Sequence, residues 1–243
     1  MVQPLKYKAK QIFSGLYSTY DWVLEYFTLF QDRYWKRRLL EEASISPGNL
    51  ILDVGCGTGV LEECIDALGA TFVGLDLTKE MMRIAQTKRI GCLDDLVLGD
   101  AEQLPFATES FDKVLSCYVI KYCNSRNFVG QIYRVLKPGG RVVLYDFARP
   151  HGLFAPFHFF YVYGALRLFG LLTRKYDRGM SFTLSELPKI ISRTRWNQEL
   201  ELALTDQGFQ YSSSRLSGGA VVLFWAMKPM RKYDSVVPDH KGN

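Results

Sequence analysis

The chain has 243 residues, of which 48% are hydrophobic and 23% charged, as in an ordinary globular protein. This composition excludes collagen-like, low-complexity and disordered chains, and the length allows a core that needs neither disulfides nor a structural metal. The formal net charge of +5 indicates at most a weak attraction to anionic membranes or nucleic acids.

The cysteine pattern favours a reducing compartment. The chain has 5 cysteines, an odd number, and no pair of them has the spacing of a zinc ribbon or redox motif: Cys56, Cys64, Cys92, Cys117 and Cys123. We therefore expect no disulfide framework and no metal site. Residues 1–13 carry charges without a following apolar run, so they are not a secretory signal. A cytoplasmic protein is expected.

Strand and helix patterns alternate through the first two thirds of the chain, after two predicted aromatic-rich helices within residues 5–45. Buried strands are predicted at 49–53, 71–77, 96–98, 111–117 and 141–147. Helices are predicted at 60–68, after a Thr78 N-cap, and at 127–136, which is followed by a Lys-Pro-Gly-Gly stop. This alternation is typical of a parallel sheet covered by helices on both faces.

The end of the chain departs from this alternation. The strand-like runs 210–216 and 220–227 are separated only by Ser217-Gly218-Gly219, which suits a hairpin. We therefore predict an α/β fold with a seven-stranded, mostly parallel sheet whose C-terminal edge is antiparallel. The predicted organisation is an N-terminal helical substrate cap at 1–45, a main domain at 46–228 and a polar tail at 229–243.

A lid insertion is predicted at 150–195, between two strands of the sheet. Its run 152–172 approaches the length of a membrane span, but spanning would separate strands of one sheet, so that interpretation is rejected. Two roles stay open: an internal lid that packs on the site, and a lid that also dips into a lipid surface. Cations that suit anionic headgroups lie nearby: Arg167, Arg174, Lys175 and Arg178.

Acidic residues follow the ends of the first three strands. Asp53 precedes a glycine loop whose backbone can approach a ligand, and its carboxylate suits a cationic amino group better than a pyrophosphate. Asp76 closes the second strand, where an acid can accept both hydroxyls of a ribose. Asp100 follows the third strand and can accept a hydrogen bond from an adenine amine. The glycine pattern alone also suits a nicotinamide cofactor. The positions of the three acids are what distinguish this site from a nicotinamide site.

Together with the runs 99–106 (GDAEQLPF) and 134–140 (RVLKPGG), these residues resemble the class I S-adenosylmethionine-dependent methyltransferases. The resemblance implies a Rossmann-like fold and S-adenosyl-L-methionine as cofactor. It also implies cofactor contacts at Tyr20, Asp53, Gly55, Cys56, Gly57, Thr58, Gly59, Asp76, Leu77, Asp100, Ala101 and Cys117.

Within that superfamily the chain resembles the ubiquinone/menaquinone-biosynthesis C-methyltransferases. The likeness lies in Tyr20-Asp21, 32–37 (DRYWKR), 206–209 (DQGF) and 217–221 (SGGAV), and is weakest over 150–200. It implies C-methylation of a quinol or phenol and an apolar, lipid-quinone type of acceptor. Membrane association at an anionic surface and a homo-oligomer both stay open, and no nucleic-acid partner is expected.

The chain departs from that family where the acceptor binds. The family's Arg-Asn pair after the fourth strand is replaced within the run 118–122, where Lys121 keeps the charge without the planar fork. The acid that closes the fifth strand is Asp146 in place of glutamate. Lys121, Asp146 and His151 are the catalytic candidates, as a cation beside a phenolate or as a base. His158 is interpreted as a core or lid histidine.

Two other functions stay open on this scaffold: an O- or N-methyltransferase of a small molecule or lipid, and a non-catalytic cofactor-binding scaffold in lipid or quinone biosynthesis. A nucleic-acid methyltransferase is not expected, because the chain has no appended RNA-binding module, no Asn/Asp-Pro-Pro-Tyr type of amine motif and no catalytic Pro-Cys dipeptide.

Overall fold

The computed structural model describes residues 5–17, 19–88, 96–149, 155–173 and 178–231. Within these ranges a single sheet runs in the order β3-β2-β1-β4-β5-β7-β6. Its strands are β1 (Leu50–Val54), β2 (Thr71–Asp76), β3 (Leu96–Leu98), β4 (Phe111–Cys117), β5 (Leu136–Phe147), β6 (Gln210–Leu216) and β7 (Val221–Met227). The five strands β1 to β5 are parallel and β7 is antiparallel to both β5 and β6, which confirms the predicted sheet.

Helices surround the sheet on both faces. The α-helices of the described ranges are α1 (Leu5–Leu16), α2 (Tyr20–Phe27), α3 (Asp32–Ala43), α4 (Glu62–Asp66), α5 (Lys79–Thr87), α6 (Ser125–Val135), α7 (Ala155–Phe159), α8 (Leu166–Thr173), α9 (Arg178–Arg193) and α10 (Trp196–Gln207). A π-helical turn, Phe160–Ala165, joins α7 to α8.

Successive strand residues point to opposite faces, so the sheet forms two apolar cores. Leu52 and Val114 pack with α6 and α10 on one face. Ile51 and Leu115, their neighbours along the same strands, pack with α3, α4 and α9 on the other. The near-continuous apolar runs of β1 and β4 follow from this burial on both sides.

The N-terminal segment contains three helices, not the predicted two. Leu29 and Phe30 have positive φ angles of 52° and 62°, which a helix cannot accommodate, and they separate α2 from α3. Aromatic residues continue across this break, so their spacing gives no sign of it.

Two predicted boundaries are also corrected. The helix expected at 60–68 is only α4, because the glycine loop extends further into it. Strand β5 begins at Leu136, which pairs with Phe111, so the Lys-Pro-Gly-Gly run turns within the strand instead of preceding it. Thr78 is the N-cap residue of α5, as predicted, although its side chain makes no capping hydrogen bond.

Helix α1 crosses α9 where a glycine of each helix meets the other. A Cβ on Gly179 would lie 2.1 Å from the carbonyl oxygen of Gly15, a separation that no real side chain tolerates. Lys8 on α1 and Glu186 on α9 also approach to 3.4 Å. This crossing brings the predicted cap and the predicted lid together.

We predict that Gly179→Ala separates α1 from α9 and destabilises their contact by about 1–3 kcal/mol, because overpacked backbone must shift. Hydrogen exchange should show faster exchange in α1 and α9 with the sheet unaffected. Gly130→Ala in α6 is the matched control, since a Cβ there would meet only Gln207 Oε1 at 4.0 Å. Equal exchange in the two variants would show that the crossing does not depend on glycine.

Candidate active site

A cavity of about 690 Å³, its open mouth included, lies at the carboxyl ends of β1, β2 and β4. In an open α/β sheet this edge is where ligands bind. Most of the predicted cofactor residues line it: Tyr20, Gly55, Gly57, Asp76, Leu77, Asp100, Ala101 and Cys117. Residues of α1 complete its wall: Lys6, Ala9, Lys10 and Phe13.

The glycine loop gives the cavity its floor. Gly55 and Gly57 have φ angles of 81° and 57°, which favour glycine. A Cβ on Gly57 would meet only the Gly55 carbonyl oxygen at 3.9 Å, so the space beside it is left for a ligand. Gly59 has a different role, because a Cβ there would lie 3.2 Å from both Ala85 and Glu62. It permits close packing of the loop on α5.

Asp76 is held in place by the backbone around it. Its Oδ2 accepts a hydrogen bond from the Gly57 amide at 2.9 Å, and its Oδ1 accepts one from the Thr78 amide at 2.7 Å. Burial raises the pKa of Asp76, and these amides offset part of that rise. Each carboxylate oxygen has a second lone pair, so Asp76 can still accept hydrogen bonds from a diol.

Asp100 ties the other side of the cavity to α1. Its Oδ1 accepts a hydrogen bond from the Glu102 amide at 2.9 Å, and its Oδ2 accepts one from Lys6 Nζ at 2.8 Å. Asp100 therefore lines the main cavity, and Lys6 of the N-terminal segment contacts it.

A smaller cavity of about 360 Å³ continues on the other side of the loop. Asp53, Cys56 and Thr58 line it, so they lie beside the main cavity rather than in it. The Thr58 hydroxyl donates to Asp21 Oδ1 at 2.6 Å. Cys56 Sγ packs towards β2, where a Cβ on Gly74 would meet it at 2.9 Å.

Two buried carboxyl groups beside the loop lack hydrogen-bond partners among the described residues. Asp53 is 2% exposed and its Oδ1 has none, and Glu62 is 1% exposed and neither of its oxygens has one. Burial raises the pKa of Asp53 well above its usual range, and Glu62 and Asp76 raise it further. Burial also raises the pKa of Glu62, from 4.5 to about 7, against the opposing charges of Lys88 and Lys36.

These features fit the cofactor that the sequence implies. S-adenosyl-L-methionine carries a ribose diol, an adenine amine and an ammonium group, and Asp76, Asp100 and Asp53 present acceptors for these three. In particular Asp53 Oδ1, which has no hydrogen-bond partner among the described residues, is an acceptor that a cationic ligand would satisfy.

An apolar pocket of about 460 Å³ adjoins the main cavity and shares Phe13, Tyr20, Tyr118 and Tyr122 with it. The rest of its lining comes mainly from α1, α2 and α9: Ile12, Leu16, Val23, Leu24, Phe27, Lys121, Phe147, Thr183, Leu184 and Leu187. Two hydroxyls of its lining, Tyr122 Oη and Thr183 Oγ1, are buried with no hydrogen-bond partner among the described residues. We call this the acceptor pocket.

Lys121 and Asp146 form a buried ion pair beneath the acceptor pocket. Lys121 Nζ lies 2.7 Å from Asp146 Oδ1 and donates to the Tyr118 carbonyl oxygen at 2.6 Å. Burial lowers the pKa of Lys121 and raises that of Asp146, and each partner opposes the other's shift. The structure thus pairs two of the predicted catalytic candidates, Lys121 and Asp146, with each other. His151 lies outside the described residues.

A second buried carboxylate, Asp32, connects α3 to the sheet. Its Oδ1 accepts hydrogen bonds from the Tyr118 hydroxyl at 2.5 Å and the Tyr145 hydroxyl at 3.0 Å, and its Oδ2 lies 2.5 Å from Lys36 Nζ. Tyr118 has a φ of 64°, in the left-handed region that non-glycine residues avoid. These contacts hold the Tyr118 ring between the cofactor cavity and the acceptor pocket.

Sequence reasoning gave Tyr122 as a group near the chemistry but missed three other residues that line these cavities. Tyr118 follows β4, and the family likeness drew attention only to its replacement of another residue. Lys36 belongs to the α3 signature but carried no predicted role. Thr183 lies in α9, where the chain resembles the family least, and nothing in its local sequence distinguishes it.

We predict that Glu62→Gln makes stability less dependent on pH. The stability that the protonated Glu62 contributes is fully present below pH 4.5 and is lost as the pH rises through about 7. The variant should therefore gain up to about 3 kcal/mol over the natural protein at pH 8 and little at pH 4, at roughly 1.4 kcal/mol per pKa unit. Thermal unfolding from pH 4 to 8 measures it.

Glu41→Gln is the control, because that side chain is 47% exposed on α3. Parallel pH profiles for Glu62→Gln and the natural protein would contradict the assignment.

Comparison with known proteins agrees with this geometry. A family model described as "Methyltransferase domain" matches residues 52–144. The chain is 34% identical over 227 residues to the demethylmenaquinone methyltransferase of Tropheryma whipplei, covering 90% of this chain and 91% of the relative. It is 25% identical over 229 residues to the ubiquinone/menaquinone biosynthesis C-methyltransferase UbiE of Pseudoalteromonas translucida, covering 89% of each.

The fold is shared with a methyltransferase of Haloferax volcanii that was solved in complex with the Trm112 methyltransferase activator. The TM-score is 0.60 at 20% identity, over 89% of this chain and 97% of the other. With its strand-end acids, its glycine loop and the cavity between them, the chain belongs to the S-adenosylmethionine-dependent methyltransferase family that includes demethylmenaquinone methyltransferase and UbiE.

Proposed function

We propose that this methyltransferase transfers the methyl group to a ring carbon of a quinol or phenol that carries an apolar tail. The observation that carries the proposal is the acceptor pocket, which is lined mainly by apolar side chains and contains the buried hydroxyls of Tyr122 and Thr183, which have no partner among the described residues. A ring with hydroxyl or carbonyl groups supplies the hydrogen-bond partners that these two side chains lack. The names of the relatives, demethylmenaquinone methyltransferase among them, support the same class.

The pocket also has room for a tail. A groove of about 810 Å³, lined by α2, α8 and α9, shares Val23, Phe27 and Leu184 with the acceptor pocket and continues outwards past Trp22 and Phe169. Its lining is almost entirely apolar. A long hydrocarbon chain bound there would contact apolar side chains along its length, whereas a small hydrophilic amine would not.

When bound, the cofactor supplies a methyl group on a sulfonium, which is already electrophilic. The protein's task is to align the acceptor carbon with that methyl group and to exclude water. Tyr20, Tyr118 and Tyr122 line both the cofactor cavity and the acceptor pocket, so they define the passage between the two. Residues of α1 and α9 cover this passage.

A phenolate is the electron-rich form of the ring, so in this proposal the acceptor's hydroxyl gives its proton to bulk water on binding, and the ring carbon gives up its own proton to water after it has taken the methyl group. Lys121 Nζ lies 4.4 Å from the centroid of the Tyr122 ring, so its charge is close to the pocket although Asp146 pairs with it. In this proposal Lys121 and Asp146 position Tyr122 and Lys121 favours the anion, while Tyr122 and Thr183 bind the acceptor oxygens. Asp146 is completely buried and does not line the pocket, so we assign it this positioning role rather than that of a base that contacts the acceptor.

We predict that the purified protein methylates a demethylated quinol in preference to a phospholipid amine or a catechol, and that the product has a new carbon–methyl bond by NMR. Tyr122→Phe and Thr183→Val should each lower kcat/KM for the quinol about tenfold, because each removes one hydrogen bond to the acceptor. Cofactor affinity by calorimetry should stay the same.

Tyr211→Phe is the control, since that residue is on β6, away from the pocket. If only the amine or the catechol is methylated, the family assignment stands and the proposed acceptor is wrong.

We also propose that the groove opens onto a membrane surface. No helix in the described ranges has the length and apolarity to cross a bilayer. Large apolar side chains are nevertheless exposed on two helices that line the groove, α2 and α8, and on the segments next to them in the chain: Trp22, Tyr26, Leu29, Phe30, Phe157, Phe160, Leu168, Phe169 and Leu171. Such a patch favours shallow insertion between headgroups, where a lipid-soluble acceptor would be found. Arg174 and Lys175 lie outside the described residues.

We predict reversible binding to vesicles that contain anionic lipid, measured by flotation, with weaker binding at high salt. The double variant Phe157→Ser/Phe160→Ser should lose most of this binding, because these side chains are 67% and 70% exposed. Leu202→Ser removes an equally exposed side chain (66%) from α10 and should leave binding intact. No flotation of the natural protein even at low salt would show that the patch does not contact lipid.

A further inference from the structure

We propose that Lys36 of α3 binds the α-carboxylate of the cofactor while Asp53 binds its α-ammonium group, so that the N-terminal segment completes the methionine end of the cofactor site. The inference rests on the cofactor that the family uses and does not depend on the acceptor proposed above.

The cavities place the two ends of the cofactor. Asp76 and Asp100, which suit the ribose and the adenine, line the main cavity. The 360 Å³ cavity shares the glycine loop, Tyr20, Cys117 and Tyr118 with it, but is lined by Asp53 and Lys36 instead of those two acids. A ligand whose adenosine lies between Asp76 and Asp100 therefore extends its other end across the loop towards Lys36.

The charges of the smaller cavity match a zwitterion. An amino acid end carries one ammonium and one carboxylate, and this cavity presents one carboxylate and one cation among its described lining residues. Asp53 Oδ1 is buried with no hydrogen-bond partner among the described residues, so it can accept from a cationic ligand. Lys36 is near enough to Asp53 and Cys117 that its charge lowers the pKa of both, against the larger effect of their burial.

Lys36 is already arranged to bind a carboxylate. Its Nζ contacts Asp32 Oδ2, and the side chain is only 15% exposed. An ammonium has three donors, so this contact leaves Lys36 able to bind a second carboxylate. Asp32 also accepts the Tyr118 and Tyr145 hydroxyls, so its charge stays stabilised when Lys36 shares its donors.

Two compounds that lack part of the cofactor test the proposed contacts separately. Decarboxylated S-adenosylmethionine lacks only the α-carboxylate, and 5′-methylthioadenosine lacks the whole amino acid end. By calorimetry the natural protein should bind S-adenosylmethionine at least tenfold more tightly than the decarboxylated form. Lys36→Met should bind these two alike, with the affinity for methylthioadenosine unchanged within about twofold. Asp53→Asn should weaken both ammonium-bearing ligands and spare methylthioadenosine.

Further variants separate recognition from a structural role of the Lys36–Asp32 pair. Lys36→Arg should keep most of the discrimination, and Asp32→Asn should keep all of it, because Lys36 then has no competing carboxylate. Arg37→Met, next along α3 with a 71% exposed side chain, is the control. If Lys36→Met does not fold, Lys36→Met/Asp32→Asn removes both charges and should show the same loss of discrimination.

The proposal is overturned if Lys36→Met, or the double variant, still prefers S-adenosylmethionine over its decarboxylated form. It is equally overturned if Asp32→Asn and Lys36→Met weaken all three ligands together. Neither result depends on turnover of any acceptor, so failure here is distinct from failure of the proposed quinol reaction.

Discussion

The reversal of strand order between β1 and β4 is the constraint on which the site depends. From β1 the sheet grows in one direction through β2 and β3 and in the other through β4 and β5. The loops that follow β1 and β4 therefore diverge and leave a crevice at their carboxyl ends. The glycine loop occupies one side of this crevice and Tyr118 the other, and the cofactor cavity lies between them.

The buried carboxyl groups near the crevice differ in how far neighbouring side chains stabilise their charge. Lys121 and Asp146 compensate each other, and Asp32 is stabilised by Lys36 and two tyrosine hydroxyls. Asp53 Oδ1 and both carboxyl oxygens of Glu62, by contrast, have no hydrogen-bond partner among the described residues. Burying an unpaired carboxylate is costly, and the cost is avoided by protonation or offset by a cationic ligand. The carboxyl oxygens without partners thus lie beside the glycine loop, where we propose that the cationic end of the cofactor binds.

The N-terminal helices and the helices that follow β5 form the other half of the site. Helix α3 packs on the sheet beside α4, while α1 crosses α9 at a glycine contact and reaches Asp100 through Lys6. Residues from both segments line the acceptor pocket and its outward groove. The strand ends therefore supply the acids and glycines that line the main cavity, and the two helical segments supply the apolar environment that the proposed acceptor needs.

The sequence by itself determined the sheet and most of the cofactor cavity. Asp76, Asp100 and the glycines line the cavity from the ends of their own strands. Because parallel strands bring their carboxyl ends to one edge of the sheet, the local sequence pattern was sufficient to predict that these residues meet. The break between α2 and α3, the pairing of Lys121 with Asp146, and the meeting of Thr183 with Tyr122 were decided only by the tertiary structure. Those features depend on which distant side chains are buried together, and neither spacing nor composition along the chain records that.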